Sequence, residues 1–226
     1  MSSTREPRRS GEPGKFVTGS ILRHILVMTG AGAVGLMAIF AGDLANIYFL
    51  SLSGDEAVVA AVGYASSILF LSTSIGIGLS IAAMAMVSPA VGAGLRTRAR
   101  RLSTHAHVLT FAISAALSVL LWLTIDPILR AIGASGKALE LATVYLTILL
   151  PTLPMLATGM TSMAVLRSAG DARRSMHVTL FGAAINFVLD LLFIVYFGWG
   201  ITGAAAASFI ARIGVMAVGL YGVIGV

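Results

Sequence analysis

Cysteine is absent from the 226 residues, which excludes a disulfide framework and any thiolate metal site. Charge is nearly as scarce: charged residues make up 11% of the chain, against about 25% in a soluble domain. Only nine carboxylates occur in all. Long polar stretches are missing too, except at the start, so a water-soluble fold with a polar surface is excluded. What remains is apolar. Hydrophobic residues reach 58% of the chain, and they come in uninterrupted runs of about 18 to 30, long enough to cross a bilayer as helices. The expected class is an all-α, polytopic membrane protein. A net charge of +6 points at first to nucleic acid, but the basic residues sit in short segments between apolar runs. There they act as topology signals, and no nucleic-acid partner is expected.

Residues 1–20 are polar, basic and rich in Pro, Gly and Ser, and read as a disordered cytoplasmic tail. They are not a signal peptide, because the apolar run that follows is too long for one. Six spans follow over residues 21–226: about Leu26 to Leu50, Val58 to Val87, Val108 to Ile125, Leu139 to Val165, Met176 to Phe197, and Ile201 to the end. One set of flanks collects Arg5, Arg8, Arg9, Lys15 and Arg23, then Arg96, Arg98, Arg100 and Arg101, then Arg167, Arg173 and Arg174. The opposite set holds Arg130 and Lys137. The positive-inside rule therefore puts the N-terminus in the cytoplasm, in a multi-pass protein of the cell inner membrane. Pro151 and Pro154 remove backbone donors from the fourth span and predict a break or kink there.

Within this apolar frame the fifth span carries an amide, Asn186, and one turn later a carboxylate, Asp190, on the same helical face. A carboxylate at mid-bilayer costs about 3 kcal/mol on insertion scales, so its retention marks a site. Apart from Glu140 at the very edge of the fourth span, the other carboxylate inside a span is Asp43 in the first. Counting from the span ends, Asp43, Asp190, Tyr145 and Ser208 all fall about 10 Å below the outer surface. They form a candidate polar layer facing an outward cavity. Arg212, in the sixth span, is the remaining intramembrane charge; it either pairs with one of the aspartates or faces an interior surface.

Further motifs reinforce these residues. Tyr145-Leu146 and Pro154 precede Gly170-Asp171, then Asn186 and Asp190, then Gly200-Ile201-Thr202-Gly203-Ala204-Ala205-Ala206-Ala207-Ser208. Val87-Ser88-Pro89-Ala90-Val91-Gly92-Ala93-Gly94 closes the second span. In order and spacing, from about Ile21 to Val226, this set resembles the N-terminal lobe of the multidrug and toxic compound extrusion (MATE) transporters. The resemblance implies one six-helix lobe of a twelve-helix antiporter that exports drugs, organic cations or other amphiphilic metabolites in exchange for H⁺ or Na⁺. It implies no cofactor beyond that coupling ion. The partners implied are membrane lipid, a small-molecule substrate and a second six-helix lobe, supplied by the same gene product or by a partner chain. It assigns the coupling roles to Asn186, Asp190, Ser208 and Tyr145, with Ser208 standing where the family has Thr. The first-span residue is left open: counting back from Gly54 gives Asn46, with Asp43 one turn earlier on the same face. A desolvated carboxylate has a raised pKa and can take a proton from outside, or stay ionised beside a bound cation. An all-oxygen set of this kind suits a hard ion such as Na⁺, with Asp190, Asn186 and Ser208 as its ligands.

The chain departs from the family pattern in places. No proline stands near Met28 in the first span, and Met160 and Met163 occupy fourth-span positions where some members have asparagines, which weakens the Na⁺ option. The sequence stops at Val226 in the sixth span, so a fragment without its second lobe, inactive in transport by itself, is expected.

Other motifs have simpler readings. Gly30-Ala31-Gly32-Ala33-Val34-Gly35 spells a dinucleotide fingerprint inside a membrane helix with no preceding strand, and reads as close helix packing. His105 and His107, two apart on a helix, diverge and make no metal pair. The arginines from Arg96 to Arg101 hold their loop inside, or touch anionic lipid. Two intramembrane aspartates also describe an aspartic membrane protease, but Phe187-Val188-Leu189 precedes Asp190 in place of the Gly-x-Gly context such an enzyme needs. A flippase for lipid-linked oligosaccharides of the same superfamily is the other alternative; its cleft would call for more cations than Arg212.

Overall fold

The computed structural model describes residues 21–51 and 55–224. The tail 1–20 and Gly54 lie outside the described residues, and so do several α1 side chains, Asp43, Met28 and Arg23 among them. The helices are α1 (Ile21–Ser51), α2 (Glu56–Gly92), α3 (Arg96–Leu123), α4 (Ile125–Ala131), α5 (Gly136–Leu149), α6 (Leu153–Ser168), α7 (Ala172–Asp190) and α8 (Gly200–Ile224). A 3₁₀ turn at Leu150–Thr152 joins α5 to α6, and a π-helical turn at Leu191–Tyr196 continues α7. No strand occurs among the described residues. Among the described residues six helical segments are long and apolar enough to cross a membrane.

These elements follow from local chemistry. With water absent, a spanning backbone must satisfy its own donors and acceptors, and the helix does so within one segment. Asp55 starts α2 by accepting the amide of Ala57, and Asp171 starts α7 by accepting that of Arg174. The proline pair breaks the fourth span as its missing donors require, and the break is a single 3₁₀ turn.

Two boundaries differ from the sequence expectation. The third span begins at Arg96 rather than near Val108, so the four arginines lie on the first turns of α3 instead of in a loop. Arginine is a good helix former, and an apolar run reveals only the part of a helix that sits in hydrocarbon. The short α4 was likewise hidden in what read as a loop.

The broken fourth span is the hub. More than half of it, 56%, is buried, against 17–28% of every other span. Its α6 half packs against α2, α3, α7 and α8, while α1 leans mainly on α7. Tight contacts come from small residues: Val215 of α8 lies against Gly159 of α6 and Gly182 of α7, and a β-carbon at either glycine would collide with its branched side chain. The fingerprint-like glycines of α1 follow the same logic only at Gly35, which is buried beside Thr179 of α7. The outer faces carry Met37, Phe40, Phe70, Leu71, Val108 and Leu120, all exposed. In water such a surface would aggregate; in a bilayer it faces acyl chains.

Charge is divided between the two ends of the bundle. The end formed by the α2–α3 and α6–α7 connections holds Arg96, Arg98, Arg100, Arg101, Arg167, Arg173 and Arg174, with Asp171 as the one carboxylate among the described residues there. Arg174 pairs with it at 3.1 Å. The opposite end is net acidic, with Asp55, Glu56, Asp126 and Glu140 against Arg130 and Lys137; Asp126 pairs with Arg130 at 2.7 Å, and Asp55 with Lys137 at 2.5 Å.

Candidate functional site

The two polar residues of α7 point to different neighbours. Asp190 is fully buried, at 0% exposure, and its carboxylate accepts a 3.4 Å hydrogen bond from the Asn46 side-chain amide of α1. Asn186, one turn earlier and half-buried, donates at 3.4 Å to the hydroxyl of Ser208 on α8. Both distances are at the long end of the hydrogen-bonding range. The other amide atom of Asn46, Oδ1, is buried with no hydrogen-bond partner among the described residues. Three helices thus contribute one carboxylate, two amides and a hydroxyl to a continuous strip.

The local backbone explains how they meet. Asp190 ends the α-helical part of α7 and the π turn begins at the next residue. A π turn widens the helix, and such turns are common at functional sites. It also brings the backbone of Phe193 against Gly203 of α8, where a β-carbon would stand 3.0 Å from the Phe193 carbonyl carbon and oxygen. Only glycine allows α8 to run this close to α7, and Ser208 follows five residues later on that helix.

Tyr145 is buried in the main apolar cluster together with Leu50, Ile194 and Ala204. Those three lie one turn from Asn46, Asp190 and Ser208 respectively, so Tyr145 sits on the layer next to the polar strip. The strip is not one flat layer, as depth counting had it. Asn46 reaches Asp190, and Ser208 is level with Asn186. Counting from span ends resolves depth only to about a turn, because helix ends are uncertain by that much. The side chain of Asp43 lies outside the described residues.

Arg212 donates to the Leu149 carbonyl at 3.3 Å and to the Thr152 hydroxyl at 2.7 Å. It therefore reaches the 3₁₀ break of the fourth span, where Pro residues leave backbone acceptors to be filled. The Leu150 carbonyl, which Pro154 cannot serve, accepts the Ser118 hydroxyl at 2.7 Å. Sequence signalled the vacated acceptors through the prolines but not which side chains would fill them. His105 is exposed while His107 turns inward to Ser162, so the two histidines do diverge. No cluster of three metal-ligating side chains is found among the described residues.

The chain has recognisable relatives. A family model described as MatE matches residues 21–192. A FAD transporter from Shewanella oneidensis is 30% identical over 199 residues, covering 85% of this chain and 43% of that protein. Among solved structures, a multidrug resistance MATE family transporter of the MOP superfamily in its outward-facing conformation superposes with a TM-score of 0.84 at 25% identity. That match covers 93% of this chain and 47% of the other. A MOP superfamily transporter from Pyrococcus furiosus shares the fold at a TM-score of 0.85 and 24% identity, over 94% of this chain and 46% of that one. The chain spans a little under half the length of each of these proteins.

Proposed function

The chain belongs to the MatE family, whose members are multi-pass membrane transporters and not enzymes, and from that premise we propose that it is the ion-coupling lobe of a secondary antiporter. The membrane-protease alternative falls with the family. In our reading the lobe uses entry of H⁺ or Na⁺ to drive a small amphiphilic molecule outward, working against a second six-helix lobe from the same gene product or a partner chain. The observation that carries this is the fully buried Asp190 held by the Asn46 amide. An ionised carboxylate without water is tolerated only beside compensating charge or strong donors. A proton or a bound cation at Asp190 is one way to supply that compensation. The buried Asn46 Oδ1 is an acceptor of the kind a hard cation uses. Asn186 and Ser208 extend the same oxygen-rich strip by one turn, and Tyr145 borders it.

The excess of arginine at one end of the bundle supports a cytoplasmic location for that end in an inner membrane. Substrate class has two readings. The multidrug relatives favour organic cations; the 30% likeness to a FAD transporter favours a flavin nucleotide.

Vesicles holding the chain together with a second lobe test all of this. Imposed proton and sodium gradients are applied separately, with a cationic dye and FAD as substrates. We expect flux under one of the two gradients and for one substrate class, and none from the chain alone. Flux that runs equally well with no gradient would remove the antiport assignment.

A further inference from the structure

His107 is an ionisable group inside an apolar helix that the Asp190 strip does not use. It stands about 16 Å along α3 from Arg96, half-buried on the face toward α6. Its two ring nitrogens are both engaged. Nδ1 is 2.8 Å from the carbonyl oxygen of Ser103, one turn earlier on α3. Nε2 is 2.9 Å from the hydroxyl of Ser162 on α6, and that hydroxyl is in turn 3.0 Å from the Thr158 carbonyl oxygen. Ser162 is completely buried, so water does not complete its bonding.

The donor count leaves two states. A carbonyl only accepts, so Nδ1 carries a proton in both. The Ser162 hydroxyl has one hydrogen to give. Given to Nε2, it leaves the ring neutral. Given to the Thr158 carbonyl, it leaves its oxygen to accept from Nε2–H, and the ring is an imidazolium. Each state bonds both ring nitrogens and the hydroxyl, and no heavy atom has to move between them.

We propose that His107 is a second protonation site of this lobe, a joint between α3 and α6 at which uptake of one proton on Nε2 reverses the Ser162 hydroxyl from the imidazole to the Thr158 carbonyl. One proton enters and one O–H bond rotates. The signal lands beside the broken span, because the Thr158 hydroxyl donates to the Pro154 carbonyl at 2.7 Å. An added hydroxyl bond to a helix carbonyl bends the helix slightly, so the charge on His107 adjusts α6 just past its 3₁₀ turn.

Among the described residues no carboxylate lies close to the joint. α3 packs on α2, on α6 and on the 3₁₀ turn, and Ser162 touches Gly219 of α8. The only charged side chains on these elements are Glu56 at the far end of α2, Arg167 at the end of α6 and Arg212 on α8, with none on the 3₁₀ turn. On α3 itself Arg100 lies two turns before His107 on the same side, with Arg101 and His105 nearby. Proton uptake therefore adds charge instead of cancelling it, and oxygen dipoles receive the imidazolium. The proposal does not rest on the coupling role of Asp190.

The test is nitrogen NMR of the full chain in lipid nanodiscs, with ¹⁵N-histidine and ¹³C-serine, across the pH range in which histidine ionises. His24→Gln, His105→Gln and His177→Gln assign the His107 signals by elimination and leave the joint untouched; Ser162→Ala identifies the Ser162 signal by its loss. The expected neutral ring is the Nδ1–H tautomer. It takes its second proton on Nε2, and the Ser162 β-carbon shifts at the same midpoint. Asp190→Asn leaves this titration unchanged. A neutral ring in the Nε2–H tautomer, a ring that keeps one protonation state throughout, or a titration that Ser162 ignores would each overturn the proposal.

Discussion

Two polar seams run through this apolar bundle, and they are bonded very differently. Along α3, α6 and the span-four break, most side-chain bonds are short, though Thr161 to Thr110 and Arg212 to the Leu149 carbonyl are 3.2 and 3.3 Å. Ser118 reaches the Leu150 carbonyl at 2.7 Å, Thr152 reaches that of Leu149 at 2.6 Å, and Ser114 reaches that of Thr110 at 2.6 Å. Most of these partners are backbone carbonyls that the helix or its prolines leave available, so the seam fixes shape. Between α1, α7 and α8 two bonds run side chain to side chain, Asn46 to Asp190 and Asn186 to Ser208, each at 3.4 Å, and a buried amide oxygen of Asn46 has no partner among the described residues. The desolvation cost is of the same kind in both places. One seam meets it with fixed backbone dipoles; the other sets a buried carboxylate beside a side-chain amide. The ion-coupling role proposed above would call on both kinds.

Substitutions can break this contrast from either side. The largest effect is expected at Asp190. In vesicles where the lobe works with its second half, Asp190→Asn keeps the shape and the amide contact but loses the charge. Gradient-driven flux should fall to the level of empty vesicles while membrane insertion, checked by yield and protease protection, is retained. Unchanged flux would remove Asp190 from the coupling site.

Asn46→Leu comes next. A hydrogen bond to a charged group is worth about 1.5–3 kcal/mol, so the concentration of coupling ion giving half-maximal flux should shift by roughly 10- to 100-fold. A shift below about twofold would mean that the 3.4 Å contact carries little energy.

Ser118→Ala probes the other seam. It removes one of two donors to the buried Leu150 carbonyl, leaving the Leu153 N–H of the 3₁₀ turn, at a cost of about 0.5–1.5 kcal/mol. Thermal unfolding in detergent should register this, with the ion dependence of flux unaltered. A changed ion dependence would show that the two seams are not separate in function.

The smallest effect lies outside both seams. The Lys137 hydrogen bond, with help from the Ala57 amide, holds the Asp55 carboxyl below its ordinary value near 3.8. A depressed folded-state pKa gives stability that is present above pH 3.8 and is lost as pH falls through the lowered value. Lys137→Met should flatten this acid-side loss in a pH series of unfolding temperatures. The change should be slight, since the pair is exposed to solvent.

The extent to which these features were legible varies with their range. Asn186 and Asp190 stood out because a charge inside an apolar run is costly wherever the run folds, and the fourth-span break was marked by Pro151 and Pro154. The sequence left Asp43 and Asn46 both open, since they lie on one helical face; that the Asn46 amide meets Asp190 depends on the docking of α1 on α7. His107 gave no signal beyond its separation from His105; its meaning comes from Ser162, far along the chain on another helix. The π turn after Asp190 left no trace in composition, because its six residues are as apolar as any other turn of the span.

By itself, the sequence determined that this protein spans a membrane as helices, how its ends differ in charge, and which intramembrane residues are too costly to be incidental. These follow from transfer energies and periodicity, which act residue by residue. Tertiary structure alone decided which polar groups meet: Asn46 on Asp190, Asn186 on Ser208, Arg212 and Ser118 on the span-four break, His107 on Ser162. Those pairings depend on helix rotation and crossing, set by small-residue contacts such as Val215 against Gly159 and Gly182, and rotation of one apolar helix against another is not encoded in the composition of either.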